Sequence, residues 1–311
     1  MIRPPRHPVA RLVAIVSPAV VLAIAVAQVV FSRVAGPSGP GRGPTVAVPR
    51  AGQSDWVVDH SRYVSRAMSG PAPVLFLGDS ITRGWLGPAL DGNDRRLNRL
   101  WLGRFASRRA ANFGMDGDHV EHLLWRIRHG ELPRIEPELI VLLIGTNNIG
   151  LDPPQEIAKG VVAVVDEIRR RCPGSLILVM GLLPRGTTLG HGQPPISLAP
   201  DPRIAAINRL LEPLADRPGV AFLDIGDRFI GPDGLLNRRL QPDLLHLSSE
   251  GYALWADALE PMVRLLVGPP PEREHASPGE RPLRPGLASG SGSGSGPIDP
   301  DPAPHPGPPS G

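Results

Sequence analysis

The first residue that could do chemistry is Ser80. In the stretch VLFLGDSITRGW, residues 74–85, four apolar residues run into Gly78-Asp79-Ser80. The run reads as a buried strand, and a serine after a strand is ordinarily a helix cap. It becomes a nucleophile only with a base in reach. Nine histidines are present, and His246 is set apart by Asp243, three residues before it in PDLLHLSSEGY. Residues three apart in a turn can face one another, so Asp243 can hold one ring nitrogen while the other faces Ser80. A lone Asp-x-x-His pair is as readily a surface turn. Attack on an ester carbonyl also needs donors for the oxyanion. Gly117 can bring a backbone N–H close because it has no side chain. Asn147 can offer a side-chain amide, although asparagine alone more often marks a turn.

These residues need elements to bring them together. Strands are expected at Val74–Leu77, Ala110–Phe113, Leu139–Ile144, Leu176–Met180 and Val220–Leu223. The sequence LIVLLI is apolar on both faces, as a strand buried between helix layers must be. Helices are expected at Trp56–Met68, Val120–His129, Pro154–Arg171, Ile204–Ala215 and Glu250–Leu266, the last capped by Ser248 or Ser249. Alternation of strand and helix predicts right-handed parallel crossovers and a three-layer α/β/α sandwich with a central parallel sheet of about five strands. In such a sheet ligands bind beyond the carboxyl ends of the strands. Gly78-Asp79-Ser80, Gly114-Met115-Asp116-Gly117-Asp118 and Gly145-Thr146-Asn147-Asn148 follow the first three strands, so the candidates gather at one edge.

Taken together, Gly-Asp-Ser, Asn112-x-Gly114-x-x-Gly117-Asp118, Gly-Thr-Asn-Asn and the terminal Asp-x-x-His resemble the SGNH (GDSL) hydrolase superfamily. NFGMDGDHVEHLLWRIRHGEL, VLLIGTNN, GLLPRG, DLLHLSSEGY and the lead-in helix DWVVDHSRYV look like its platelet-activating-factor acetylhydrolase branch. The resemblance implies a flavodoxin-like fold and an esterase with no cofactor and no metal. It also implies Ser80 as nucleophile, His246 as base, Asp243 as its partner, and an oxyanion hole from the Ser80 and Gly117 N–H groups and the Asn147 side chain. Gly114 reads as structural. The close branch cleaves acetyl esters and many bacterial relatives deacetylate carbohydrates; with the signal-like N-terminus described below, this implies a small ester or acetylated-glycan substrate, with a short-chain phospholipid ester as the alternative.

Three other readings are weaker. The α/β-hydrolase fold needs G-x-S-x-G, and Gly78-Asp79-Ser80-Ile81-Thr82 lacks the second glycine. A metal-dependent hydrolase is suggested by Asp116, Asp118, His119, Glu121 and His122, but there is no H-E-x-x-H, and acids suit a helix's first turn in any case. A non-catalytic, membrane-tethered glycan-binding module predicts loss of a catalytic residue, and none is lost.

Charge and composition set the frame. The pI is near 9.7, yet residues 52–268 carry 24 Lys+Arg against 25 Asp+Glu, whereas residues 1–50 hold six arginines and no acid. The basic excess belongs to the N-terminal arm, so nucleic-acid binding by the body is not expected. Leu12 to Phe31 is almost wholly apolar behind three arginines, the layout of a signal peptide or membrane anchor. The expected organisation is a signal or anchor at 1–34, a Pro/Gly-rich linker at 35–52, the hydrolase domain at 53–268 and a disordered Pro/Gly/Ser-rich tail at 269–311. This layout places the body outside the cytoplasm. The single cysteine, Cys172, reads as a loop or helix-end thiol, and Arg185–Pro202 as a long loop that either helps shape the acyl or sugar pocket or is plain connection.

Overall fold

The computed structural model describes residues 43–50, 52–87, 94–188 and 193–270. The expected signal or anchor and nearly all of the expected tail lie outside the described residues. Among the described residues no helix is long and apolar enough to cross a membrane.

Five parallel strands form one sheet: β1 (Val74–Gly78), β2 (Ala111–Gly114), β3 (Leu139–Leu143), β4 (Leu176–Met180) and β5 (Val220–Leu223), in the order β2-β1-β3-β4-β5. All residues of β1 and β3 are buried, as their unbroken apolar runs require. The helices are α1 (Ser54–Met68), α2 (Ser80–Arg83), α3 (Asp94–Arg104), α4 (Val120–Arg126), α5 (Pro154–Arg171), α6 (Pro202–Leu211) and α7 (Ser249–Val267). The β1-to-β2 crossover runs opposite to the other three, and all are right-handed by rule, so α3 takes one face and α4, α5 and α6 the other. Packing follows this division: α3 lies against α7, while α4, α5 and α6 pack in series. The expected three-layer α/β/α sandwich is the fold found.

The chain reverses its direction of travel across the sheet at β1, so β1 and β3 flank the topological switch point. Ser80 follows β1 and Asn147 follows β3, which puts both at this crevice.

Several boundaries differ from expectation for local reasons. The helix expected to reach His129 stops at Arg126 and widens into a π turn, Ile127–Glu131, where Gly130 has φ +109°. The helix expected to reach Ala215 begins at Pro202 behind the cap Asp201 and tightens into a 3₁₀ turn at Glu212–Asp216. Pro213, which has no N–H to give, sits at that change. Helix α3 was not expected: its buried Leu97 and Trp101 are an i,i+4 pair hidden among arginines. Within the stretch expected as a linker, residues 43–50 lie along the domain. Val48 N–H donates to Glu121 O (3.3 Å), and a Cβ on Gly160 of α5 would come within 2.5 Å of the Pro44 ring.

Candidate active site

Strand β1 ends at Gly78, and Asp79 caps α2 by accepting from Ile81 N–H at 2.9 Å. The cap is therefore Asp79, not Ser80. Ser80 is the first residue of α2, and the leading N–H groups of a helix have no partner within it. Asp79 is fully buried, its Oδ2 has no partner, and burial pushes its carboxyl up to about 7.

Ser80 Oγ lies 2.9 Å from His246 Nε2, and His246 Nδ1 lies 2.8 Å from Asp243 Oδ2. With the Nδ1 proton donated to the carboxylate, Nε2 is the acceptor for the serine hydroxyl. The turn that makes this possible is wound by Asp243 itself: its Oδ1 accepts from Leu245 N–H (3.0 Å) and His246 N–H (2.7 Å). Leu244 takes the left-handed conformation, φ +66°, costly for a branched side chain. It is held there by Gly186 N–H donating to Leu244 O (2.9 Å) and by its own N–H donating to Gln241 O (3.0 Å). Ser248, one of the two expected caps, caps α7 through Gly251 N–H.

The two ionisable groups shift in opposite directions. The hydrogen bond to Asp243 raises His246 above the ordinary histidine value, against the lowering effect of burial. Burial pushes Asp243 up, but hydrogen bonds from the His246 ring and backbone outweigh it and hold the carboxyl below its ordinary value. The pair is thus set to carry an imidazolium–carboxylate when Nε2 receives a proton.

Gly117 has φ +69°, a conformation that favours glycine. Gly114 is structural, as expected: a Cβ there would lie 2.1 Å from Arg83 N, so its absence lets β2 meet α2. Asn112 ties the same junction by donating to Thr82 O (2.7 Å) and accepting from Gly114 N–H (2.8 Å). Asn147 sits in a 3₁₀ turn and donates to Asp118 O at 2.9 Å, which uses one of its two amide hydrogens and orients the other.

Below Gly117 lies a buried charged network that sequence reasoning missed. Arg126 donates to Asp118 Oδ2 (2.7 Å), to Glu131 Oε1 and Oε2 (both 2.9 Å) and to Phe113 O. Trp56 Nε1 donates to Asp118 Oδ1 at 2.7 Å, and His60 Nδ1 lies 2.8 Å from Glu131 Oε1. Asp118 thereby joins the network to the Gly117 turn and, through its carbonyl, to Asn147.

The residues of DGDHVEH are not gathered into one set. Asp116 is exposed and Asp118 belongs to Arg126. Among the described residues, His119, Glu121 and His122 bring potential ligand atoms within 4.8 Å of one another. Several of their polar atoms are already engaged within the cluster. His122 Nδ1 accepts from His119 N–H (3.0 Å), His119 Nδ1 meets Glu121 Oε1 (3.1 Å), and Glu121 Oε2 accepts from Asn148 Nδ2 (2.9 Å). Burial pushes His122 down to about 3, which keeps the ring neutral. The cluster reads as the polar start of α4.

Gly117, Asn147, Asp243 and His246 all border one cavity of about 640 Å³, a size suited to a small-molecule ligand. The loop after β4 contributes Arg185, Gln193, Pro194 and Pro195, which favours the first of the two uses open to Arg185–Pro202. Val48, Pro49 and Arg50 form another part of the wall, which the linker reading did not foresee. Cys172 stands at the carboxyl end of α5, far in sequence from any of these residues and free.

The profile of the GDSL-like Lipase/Acylhydrolase family matches residues 76–254. The chain is 32% identical over 246 residues to the platelet-activating factor acetylhydrolase IB subunit alpha2 of Gallus gallus, covering 78% of this chain and 98% of that one. It is 32% identical over 233 residues to the subunit alpha1 of Homo sapiens, covering 75% and 93%. In fold it is similar to a GDSL-like lipase from Bacteroides thetaiotaomicron, with a TM-score of 0.52, 18% identity, and coverage of 66% and 97%.

Proposed function

Since this chain belongs to the GDSL-like lipase/acylhydrolase family and is an ester-hydrolysing enzyme, we propose that it removes short acyl groups, acetyl above all, from O-acetylated carbohydrate outside the cytoplasm. The observation that carries the chemistry is the continuous hydrogen-bonded chain from Ser80 through His246 to Asp243, whose last two members border the same cavity as Gly117 and Asn147. Ser80 Oγ attacks the ester carbonyl as His246 Nε2 takes its proton. The Ser80 and Gly117 N–H groups and the Asn147 amide hold the oxyanion. His246 returns the proton to the leaving alcohol, and water then cleaves the acyl-enzyme by the same steps. No cofactor enters the scheme. The non-catalytic glycan-binding alternative falls with family membership.

An acetyl group is favoured because the curated relatives are named as acetylhydrolases. A carbohydrate is favoured by a cavity wall with polar groups such as Gln53, Gln193 and His122, and by the signal-like apolar run at 12–31. The relatives' name also keeps a short-chain phospholipid ester as a second reading. A chain-length series on p-nitrophenyl esters, then acetate release from acetylated polysaccharide against release from an acetylated phospholipid, separates the two. Hydrolysis of the lipid alone sinks the carbohydrate reading. Protease protection of the domain in intact cells, lost on lysis, would sink the location.

Asn147→Ala is expected to lower kcat by about 10²–10³-fold with KM little changed. A loss under about threefold would remove Asn147 from the oxyanion hole. The pH profile carries a further expectation. The base must be neutral, so kcat/KM falls as pH drops through the His246 value, and the midpoint of that acidic limb lies above the ordinary histidine value. Asp243→Asn withdraws the carboxylate that raises it, so the midpoint moves to lower pH while kcat falls by about 10⁴-fold. A limb that does not move would show that Asp243 does not hold His246.

A further inference from the structure

We propose that the cavity is built for an acidic sugar: an acetyl ester whose leaving alcohol carries a carboxylate, gripped by Arg185 and Arg50. The inference rests on the esterase reading and names the substrate class of that same site.

Arg185 is the stronger indication. It borders the cavity and is only 6% exposed. Its Nη1 donates to Thr146 O (3.0 Å) and Thr146 Oγ1 (3.4 Å), both neutral, and its Nε has no partner. Among the described residues no carboxylate lies within ion-pair distance of it. Asp201, the acid that acts on it most, is held by both Nε (2.9 Å) and Nη2 (2.5 Å) of Arg203. A buried guanidinium without a carboxylate at ion-pair distance is unfavourable, and the same burial drives its pKa downward. A bound anion would supply the missing charge.

Arg50 brings a second guanidinium to the same cavity, with its side chain 19% exposed. Its Nη1 donates to Asp116 O and stands 3.8 Å from Asp118 Oδ1, a carboxylate that Arg126 already holds at 2.7 Å. Both Nη atoms lie 3.2 Å from where a Gly117 Cβ would be, so this charge sits beside the oxyanion loop.

The rest of the wall agrees. Among the described residues, Asp243 is the sole acid bordering the cavity, and His246 holds it. His122 accepts at Nδ1, which fixes its proton on Nε2 as a donor. The cavity therefore offers donors and positive charge to a ligand, and its volume of about 640 Å³ far exceeds an acetyl group. Arginine's planar fork pairs with carboxylate and phosphate oxygens two at a time.

The test uses the full chain and two matched pairs of acetyl esters: O-acetylglucuronic acid against O-acetylglucose, and 1-acetylglycerol 3-phosphate against 1-acetylglycerol. Wild type should prefer O-acetylglucuronic acid to O-acetylglucose by about tenfold or more in kcat/KM. A preference confined to the phosphate pair overturns the inference and favours the phospholipid reading. R50Q and R185Q should each lower the charged-to-neutral ratio, and R185K should retain more of it than R185Q. If R185Q does not fold, R50Q and R185K carry the comparison. Equal rates on both pairs, with p-nitrophenyl acetate still hydrolysed, overturn the inference and leave the esterase standing. A preference unaltered in every folded variant overturns the assignment to these arginines. Failure on p-nitrophenyl acetate and all four esters brings down the esterase reading itself, and this inference with it.

Discussion

Ser80→Ala should lower kcat on p-nitrophenyl acetate by about 10⁴–10⁶-fold, abolish covalent labelling by a fluorophosphonate, and leave the protein folded. The size of the loss follows from the role. Without Oγ no acyl-enzyme forms, and what remains is the acceleration from the oxyanion donors and binding. The fold should survive because Ser80 does not hold its own helix: Asp79 caps α2, and Tyr252 OH, donating to Ile81 O at 2.8 Å, secures it from α7. Only the contact to His246 is lost, at a part-exposed position, so stability should change by no more than about 1 kcal/mol. Labelling that persists in Ser80→Ala, or a rate loss under about tenfold, would assign the nucleophile elsewhere.

Arg126→Met should have the largest effect on stability. The guanidinium is fully buried, bonded to two carboxylates and a carbonyl, and lies 5.4 Å over the Tyr63 ring. Methionine fills part of the volume but leaves Asp118 and Glu131 buried without their shared cation. Breaking such a pair from one side costs about 3–5 kcal/mol, which for a domain of this size lowers Tm by on the order of 10 °C. Because Asp118 O positions Asn147, kcat should also fall well below the new Tm. Thermal denaturation and kcat at low temperature check both parts. A Tm within about 2 °C of wild type would mean that the network does not support the loop.

Much of this was legible in the sequence, and the reasons can be given residue by residue. The strands were legible because a buried strand is written as an uninterrupted apolar run: β4 and β5 begin and end where expected, and β1, β2 and β3 differ by a residue. Ser80, Gly117, Asn147, Asp243 and His246 were legible only as a set, each having an ordinary use alone. What stayed hidden depends on closure of the fold. Arginine is normally a surface residue, so nothing in LLWRIRHGE marks Arg126 as fully buried, and nothing in GLLPRG marks Arg185 as unpaired. The cap was given to Ser80 because Asp and Ser are adjacent and equally suited; only the backbone angles decide between them. Residues 43–50 read as a linker because proline and glycine report the absence of regular structure, not the absence of contacts.

That last segment separates two properties that usually travel together in a hydrolase. The family profile begins at residue 76, and every residue proposed to make or break a bond lies within it. Val48, Pro49 and Arg50 lie outside it, yet they wall the cavity. Reactivity thus resides on one stretch of the gene and selectivity on two, and variation upstream of α1 could retune which esters are accepted while the hydrolytic apparatus stays untouched. A fragment trimmed to the profile's limits would be missing part of its own substrate filter.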